Sequence, residues 1–166
     1  LFTIHTYGCQ MNVADTESVS AILEAAGHSQ AASETEADLV VVNSCSVRGK
    51  AEDKALGKLG LLCAAKRDRP RLIVGVMGCM AQRLGQDIFK RVPDLDFAVG
   101  TRRCGSIPRL VQRVLSGETR ICEISDLLES PDVPDAHNGT ACSAFVTVLI
   151  GCERRCSTVP TLSSRR

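Results

Sequence analysis

Three cysteines occupy equivalent positions in the sequence. Cys9, Cys45 and Cys79 each follow an apolar run of strand length and precede a segment with helical periodicity. They stand about 35 residues apart, which is the length of one strand–helix unit. The carboxyl ends of parallel strands lie at one edge of a sheet, with neighbouring strands about 4.8 Å apart. We therefore expect the three thiols to meet at that edge.

Metal binding is the chemistry expected of three such thiols. A glycine or serine precedes each cysteine, which lets the backbone turn sharply and approach a bulky group. Helices that begin just beyond favour the thiolate form. Three thiolates suit an iron–sulfur cluster with one open iron, whereas a structural zinc usually takes four protein ligands. Each cysteine alone is typical of a buried packing thiol, but three in matching positions favour a site.

A second pair of cysteines follows a different pattern. Cys152 and Cys156 form a Cys-x3-Cys motif just after an apolar run at 144–150. Alone, the motif is also typical of a surface loop. The remaining cysteines are interpreted as packing or surface thiols, namely Cys63, Cys104, Cys122 and Cys142. Polar residues beside the three strand-end cysteines could tune a cluster or cap helices, namely Gln10, Asn12, Asn43 and Gln82.

The cysteines are positioned by alternating strands and helices. The predicted strands span 2–7, 37–43, 71–77 and 95–99. The predicted helices span 15–26, 47–66, 82–91 and 107–116. This alternation predicts an α/β domain with a mostly parallel sheet and helices on both of its faces.

Composition excludes several classes of protein. A net charge of +1 provides no field for attracting nucleic acid, and 3% aromatic residues argue against a base-stacking platform. No signal peptide is visible, and no apolar run approaches the roughly 20 residues of a membrane-spanning helix. Nine cysteines then indicate a reducing compartment, so we expect a cytoplasmic protein without membrane association.

A change of composition divides the chain. Residues 1–124 contain the alternating elements and form the predicted α/β domain. Residues 125–142 combine acidic residues with prolines and are interpreted as a linker. Residues 143–166 open with a new apolar strand and are expected to be the incomplete start of a second domain.

The residues around the cysteines resemble a known family. The segment Tyr7-Gly8-Cys9-Gln10-Met11-Asn12 is similar to the first signature of the radical-SAM methylthiotransferases. The run from Ala37 to Arg48 around Asn43-Ser44-Cys45 resembles the second signature, and Gly78-Cys79-Met80-Ala81-Gln82 the third. The Gly-Cys-Gln-Met-Asn run resembles the MiaB-type branch, which modifies tRNA, more than the branch that acts on a ribosomal protein.

The resemblance implies a fold and a set of cofactors. The amino-terminal domain of this family is flavodoxin-like, and its cysteines, matched here by Cys9, Cys45 and Cys79, bind an auxiliary 4Fe–4S cluster. A radical-SAM domain follows, with a second 4Fe–4S cluster on a Cys-x3-Cys-x2-Cys motif whose first two positions match Cys152 and Cys156. With S-adenosylmethionine, such enzymes add a methylthio group to C2 of N6-isopentenyladenosine next to the tRNA anticodon. The source of the inserted sulfur stays open.

The sequence departs from the family at the third position of that motif. Val159 stands where the third cysteine is expected, and Pro160 follows Cys156 two residues too early. We therefore expect the radical-SAM segment to be truncated and the 166-residue chain to be inactive by itself.

Three alternative functions remain open from the sequence. They are a stand-alone iron–sulfur or zinc module, a fragment of a ribosomal-protein methylthiotransferase, and a thiol-redox or flavodoxin-like electron carrier. The last is the weakest, because the chain has no Cys-x2-Cys motif and no phosphate-binding loop after its first strand.

Overall fold

A single parallel sheet forms the centre of the domain. The computed structural model describes residues 1–46 and 49–124, and within them five strands pair in the order β1-β2-β3-β4-β5. The strands are β1 (Phe2–Tyr7), β2 (Leu39–Ser44), β3 (Ile73–Met77), β4 (Phe97–Val99) and β5 (Ile121–Glu123). All four pairings are parallel, so the predicted α/β fold is confirmed.

Helices cover both faces of this sheet, as predicted. Helices α1 and α5 pack on one face, and α2, α3 and α4 pack on the other. Side chains of β2 alternate between the two layers: Leu39 and Val41 face α1 and α5, whereas Val40 and Val42 face α2. The helices are α1 (Gln10–Ala25), α2 (Gly49–Ala65), α3 (Cys79–Leu84), α4 (Ile88–Arg91) and α5 (Ile107–Leu115).

The path between β1 and β2 explains how one chain covers both faces. After α1 the chain runs along the outer edge of β1, where Gln30 forms a parallel bridge with Phe2. It then passes to the opposite face, where Ala31 and Ala37 pack in the core with α2, before it enters β2. In the flavodoxin-like strand order 2-1-3-4-5, the second strand takes this outer position. Gln30 thus lies at the position of that strand, where it forms one isolated bridge.

The structure corrects several predicted boundaries. Helix α1 begins at Gln10, not at residue 15, and α3 begins at Cys79, not at residue 82. A 3-10 turn at Gly85–Asp87 divides the helix predicted at 82–91. Strand β5 was not predicted, because its three residues do not lie in a continuous apolar run. It pairs in parallel with β4, and Ile121 N donates to the carbonyl oxygen of Asp96, just before β4, at 2.8 Å.

The proposed linker and the start of a second domain lie outside the described residues, as does the apolar run at 144–150. Among the helices of residues 1–46 and 49–124, none has the length and apolar character needed to cross a bilayer.

Candidate functional site

The strand register brings the three predicted cysteines to the carboxyl edge of the sheet. Tyr7 pairs with Ser44, and Asn43 pairs with Met77. Continued by one or two residues, this register places Cys45 level with Gly8 on one side and with Cys79 on the other. Cys9 lies one residue beyond that level, at the start of α1. Three neighbouring strands therefore each contribute one cysteine to the same edge.

Two glycines allow the three segments to approach one another. A Cβ atom at Gly8 would lie 2.1 Å from Asn12 Oδ1 and 3.0 Å from Cys45 Cβ. A Cβ atom at Gly78 would lie 2.5 Å from Asn43 Oδ1 and 2.9 Å from the Ser44 carbonyl oxygen. Gly78 also has a φ of +96°, which favours glycine. Close packing thus requires glycine before both Cys9 and Cys79, and backbone conformation requires it before Cys79 as well.

The cysteines differ in exposure. Cys45 and Cys79 are buried, at 2% and 5% exposed, whereas Cys9 is half-buried. Cys9 is the residue that precedes α1, and its carbonyl oxygen accepts hydrogen bonds from Asn12 N and Val13 N at 3.0 and 3.3 Å. Cys9 therefore lies at the amino-terminal, positive end of the α1 dipole. Cys9 is the cysteine of the three that solvent reaches most easily.

Two buried asparagines lie between the cysteines. Asn12 and Asn43 have no exposed surface, and Asn12 Nδ2 donates to Asn43 Oδ1 at 2.8 Å. Asn12 Oδ1 accepts from Cys9 N at 3.1 Å and lies 3.5 Å from Cys9 Sγ. Asn12 therefore does cap α1, one of the two roles considered from the sequence, and it also contacts a predicted ligand. Gln10, by contrast, is exposed to solvent.

The described residues bring thiols to this edge without forming a ready site for one metal ion. Within residues 1–46 and 49–124, no group of three or more His, Cys, Asp or Glu side chains is arranged to hold one metal ion. Three thiolates on one zinc would lie roughly 3.8 Å apart. In a 4Fe–4S cluster each thiolate bonds a different iron, so wider spacing suits it. Ser46 Oγ and Gln82 Oε1 are buried without a hydrogen-bond partner among the described residues, which leaves polar atoms for a further group.

A fourth cysteine reaches the same edge. Cys104 begins the 3-10 turn before α5 and is 7% exposed, and its Sγ lies 3.6 Å from the Gly100 carbonyl oxygen. Burial raises the pKa of the Cys104 thiol well above its usual range, and Asp15 and Cys79 add to the effect. Cys104 packs in the core between α1 and α5, in line with its interpretation as a packing thiol. In the sequence, this position could have been recognised from Gly100, which directly follows β4 just as Gly78 directly follows β3.

The remaining cysteines fall into two groups: two lie in described elements of the fold, and three lie outside the described residues. Cys63 is buried in α2, and burial raises the pKa of its thiol to about 11. Cys122 is half-buried in β5, and burial raises its pKa too. Cys142, Cys152 and Cys156 lie outside the described residues. The ligand role of Cys152 and Cys156 therefore stays a prediction.

Comparison with known proteins gives one family and many relatives. The model of a family described as "Uncharacterized protein family UPF0004" matches residues 1–100. A Geobacter metallireducens protein named tRNA-2-methylthio-N(6)-dimethylallyladenosine synthase is 45% identical over 159 residues, which cover 95% of this chain and 36% of that protein. Proteins of the same name from Akkermansia muciniphila and a Sulfurihydrogenibium species are each 37% identical, covering 93% and 99% of this chain and 37% and 39% of their own length. The chain thus spans little more than a third of these relatives.

Proposed function

The chain belongs to the UPF0004 family, and from this premise we propose that it is the amino-terminal, cluster-binding domain of a cytoplasmic tRNA methylthiotransferase. The relatives' shared name describes an enzyme that forms a 2-methylthio derivative of N6-dimethylallyladenosine in tRNA. The complete enzyme would add a methylthio group to C2 of that adenosine, next to the anticodon, with S-adenosylmethionine as co-substrate. The same name favours tRNA over a ribosomal protein as the substrate.

The observation that carries the proposal is the alignment of three cysteines at one sheet edge. Cys9, Cys45 and Cys79 would hold an auxiliary 4Fe–4S cluster by one iron each, which leaves the fourth iron without a protein thiolate. When bound, the cluster would supply or carry the sulfur that becomes the methylthio group. The protein contributes the arrangement: two buried thiols on neighbouring strands, and a third at a helix start nearer to solvent.

The chain's own residues would also control the charge and water around the cluster. The buried Cys45 and Cys79 keep one side of the site away from water, and the amides of Asn12 and Asn43 are neutral. A cluster held by three thiolates would place negative charge at this edge, so neutral neighbours would avoid further repulsion. The dipole of α1 offsets part of that charge at Cys9.

The second cluster and the catalytic step would require residues beyond this domain. We propose that Cys152 and Cys156 correspond to the first two ligands of a radical-SAM cluster that binds S-adenosylmethionine. Because Val159 replaces the third ligand, the 166-residue chain is expected to form no methylthio product alone. Detectable methylthio-adenosine formation by the purified chain, S-adenosylmethionine and isopentenylated tRNA would contradict this expectation.

Anaerobic reconstitution tests the auxiliary cluster directly. The purified chain, incubated with ferrous iron and sulfide, is expected to bind about four irons and to absorb in the visible range. The variants Cys9→Ser, Cys45→Ser and Cys79→Ser should each contain less than about one iron per chain, because the cluster then lacks a ligand. Cys63→Ser is the matched control, since Cys63 is buried like Cys45 and Cys79 but lies in α2.

The reconstitution separates the alternatives. If Cys63→Ser and the three site variants lose iron to the same extent, iron binding does not depend on the sheet edge and the proposal is wrong. Stoichiometric zinc with no iron uptake would indicate a closed structural site in place of a cluster.

A further inference from the structure

Asn12 and Asn43 form the centre of a buried hydrogen-bond network. Asn43 Nδ2 donates to the backbone oxygen of Asn12 at 2.7 Å and to Thr16 Oγ1 at 3.0 Å. Thr16 Oγ1 lies 2.8 Å from Thr6 Oγ1 on β1. With the Asn12 Nδ2 to Asn43 Oδ1 bond and the Cys9 N to Asn12 Oδ1 bond, the network runs from β1 through α1 to β2. We name the Asn12–Asn43 pair the amide bridge.

The direction of each hydrogen bond in the amide bridge is determined by a backbone group. Cys9 N is a donor, so Asn12 must present its oxygen there and direct its Nδ2 to Asn43. Asn43 must then offer its oxygen to Asn12, which leaves its own Nδ2 for the Asn12 carbonyl and Thr16. Each amide thus uses both its oxygen and its nitrogen in hydrogen bonds. Aspartate at either position would keep an acceptor but lose a required donor.

The amide bridge contacts all three cysteine-bearing segments. Asn12 reaches the first segment by its bond to Cys9 N. Asn43 lies on β2, two residues before Cys45. Both amides lie against Gly78, since a Cβ there would be 2.5 Å from Asn43 Oδ1 and 3.2 Å from Asn12 Nδ2. One pair of side chains thus stands between the segments that carry Cys9, Cys45 and Cys79.

We infer that the amide bridge is a positioning device that holds the three cysteine-bearing segments in one fixed arrangement, without adding charge beside the thiols. It is more than a cap of α1, because the Nδ2 of Asn12 and the whole side chain of Asn43 are not needed for capping. The consequence for iron binding rests on the proposed function, whereas the coupling between the segments does not.

Asn12→Asp separates bridging from capping. Aspartate keeps the oxygen that accepts from Cys9 N and suits the first turn of a helix, so a pure cap would tolerate it. The bridge would lose its donor to Asn43 Oδ1 and place two acceptors in contact. Gln10→Glu is the matched control, because it adds the same charge in the same helical turn at an exposed side chain.

Amide hydrogen exchange of the iron-free chain is the main measurement. In Asn12→Asp we expect exchange to become about tenfold faster or more in 8–12, 43–46 and 78–82 together, with mid-strand amides of β2 unchanged. Gln10→Glu should leave 43–46 and 78–82 at the wild-type rate. Acceleration confined to the first turn of α1 in Asn12→Asp would show that Asn12 is only a cap and would overturn the inference.

Thr16 provides a second test that does not depend on Asn12→Asp folding. Thr16→Val removes the acceptor of one Asn43 N–H and should accelerate exchange severalfold in 43–46 and 78–82, while Thr16→Ser should restore the wild-type rate. If Thr16→Val changes neither segment, the network does not couple them and the inference is wrong.

Iron uptake then connects the amide bridge to the proposed cluster. Asn12→Asp should bind less than half of the wild-type iron on reconstitution, and Gln10→Glu should bind nearly all of it. Failure of the wild-type chain to bind iron would count against the proposed function alone, because the exchange experiment is made without iron. Asn12→Asp could take up iron fully and still show faster exchange in all three segments. The amide bridge would then order these segments only in the iron-free protein, which would contradict its role in positioning the ligands.

Discussion

At the amino edge of the sheet, charged side chains hold the strand ends, whereas at the carboxyl ends of β1 to β3 two neutral amides do so. Lys66 Nζ lies 2.5 Å from Asp96 Oδ2 and donates to the Asp94 carbonyl at 2.8 Å. Asp96 Oδ2 also accepts from Val74 N at 2.7 Å, which joins β4 to β3. The guanidinium of Arg69 donates to the carbonyl oxygen of Ala37, two residues before β2.

The carboxyl edge has the opposite character. At the carboxyl ends of β1 to β3 the buried polar residues are Asn12, Asn43 and Ser44, and the thiols of Cys9, Cys45 and Cys79 lie beside them. Two neutral amides satisfy each other and the nearby backbone, so they give geometry without net charge. The comparison indicates that the charged contacts at the amino edge contribute to stability. The neutral contacts at the carboxyl edge order the strand ends without repelling the thiolates that the proposed function requires. Changes at the amino edge should therefore lower stability and spare iron binding, and changes at the carboxyl edge should affect both.

Gly78→Ala is expected to have the largest effect. The new methyl group would lie 2.5 Å from Asn43 Oδ1 and 2.9 Å from the Ser44 carbonyl oxygen, at a φ of +96°. Crowding and backbone strain together should reduce the free energy of unfolding by about 3 kcal/mol, as measured by urea denaturation. Iron uptake by the fraction that folds should also fall.

Gly60→Ala is the control for that substitution. Gly60 lies in α2, and nothing lies within 4 Å of a Cβ placed there. Alanine should stabilise the helix by about 0.5–1 kcal/mol and leave iron uptake unchanged. Equal stability of Gly78→Ala and the wild-type chain would show that the carboxyl edge is loosely packed, contrary to the comparison.

Lys66→Met breaks the amino edge and should have a smaller effect. The side chain is 19% exposed, and its loss leaves Asp96, at 13% exposed, without its cation. We expect the free energy of unfolding to fall by about 2 kcal/mol. Lys90→Met, at a lysine that is 79% exposed, should change stability by less than about 0.5 kcal/mol. The folded Lys66→Met chain should still bind its full complement of iron, and a loss of iron would contradict the division between the edges.

Glu34→Gln should have the smallest effect and should depend on pH. Burial raises the pKa of Glu34, but a hydrogen bond and the charge of Lys58, with contributions from His5, outweigh it and hold the pKa below its usual 4.5. The carboxylate therefore stabilises the fold above the unfolded pKa of about 4.5, and this contribution is lost as the pH falls through the folded pKa.

Urea denaturation at several pH values tests this sign. At pH 7 the free energy of unfolding of the wild type should exceed that of Glu34→Gln by less than about 1 kcal/mol, and the difference should vanish at low pH. Glu24→Gln, at an exposed carboxylate of α1, controls for the loss of one negative charge. A difference between wild type and Glu34→Gln that grows as the pH falls would contradict the assigned pKa direction.

Much of the fold follows from local sequence patterns. The apolar runs at 2–7, 37–43 and 71–77 correspond to β1, β2 and β3 within two residues at either end, because buried parallel strands need continuous apolar side chains. The expectation that Cys9, Cys45 and Cys79 share one edge required only the alternation of strands and helices. The starts of α1 and α3 were placed too late, since Cys9 and Gly78 precede these helices in place of a Ser, Thr, Asp or Asn.

The amino-acid sequence by itself determined the α/β class, the two apolar layers and the edge at which the three cysteines lie, because side-chain periodicity and βαβ connectivity are local properties of the chain. Only the tertiary structure decided that Asn12 and Asn43 join across β1, α1 and β2, that Gly78 closes on both amides, and that Cys104 reaches the same edge. These contacts link residues far apart in the chain, and their distances depend on the strand register and on the packing of α1 against the sheet.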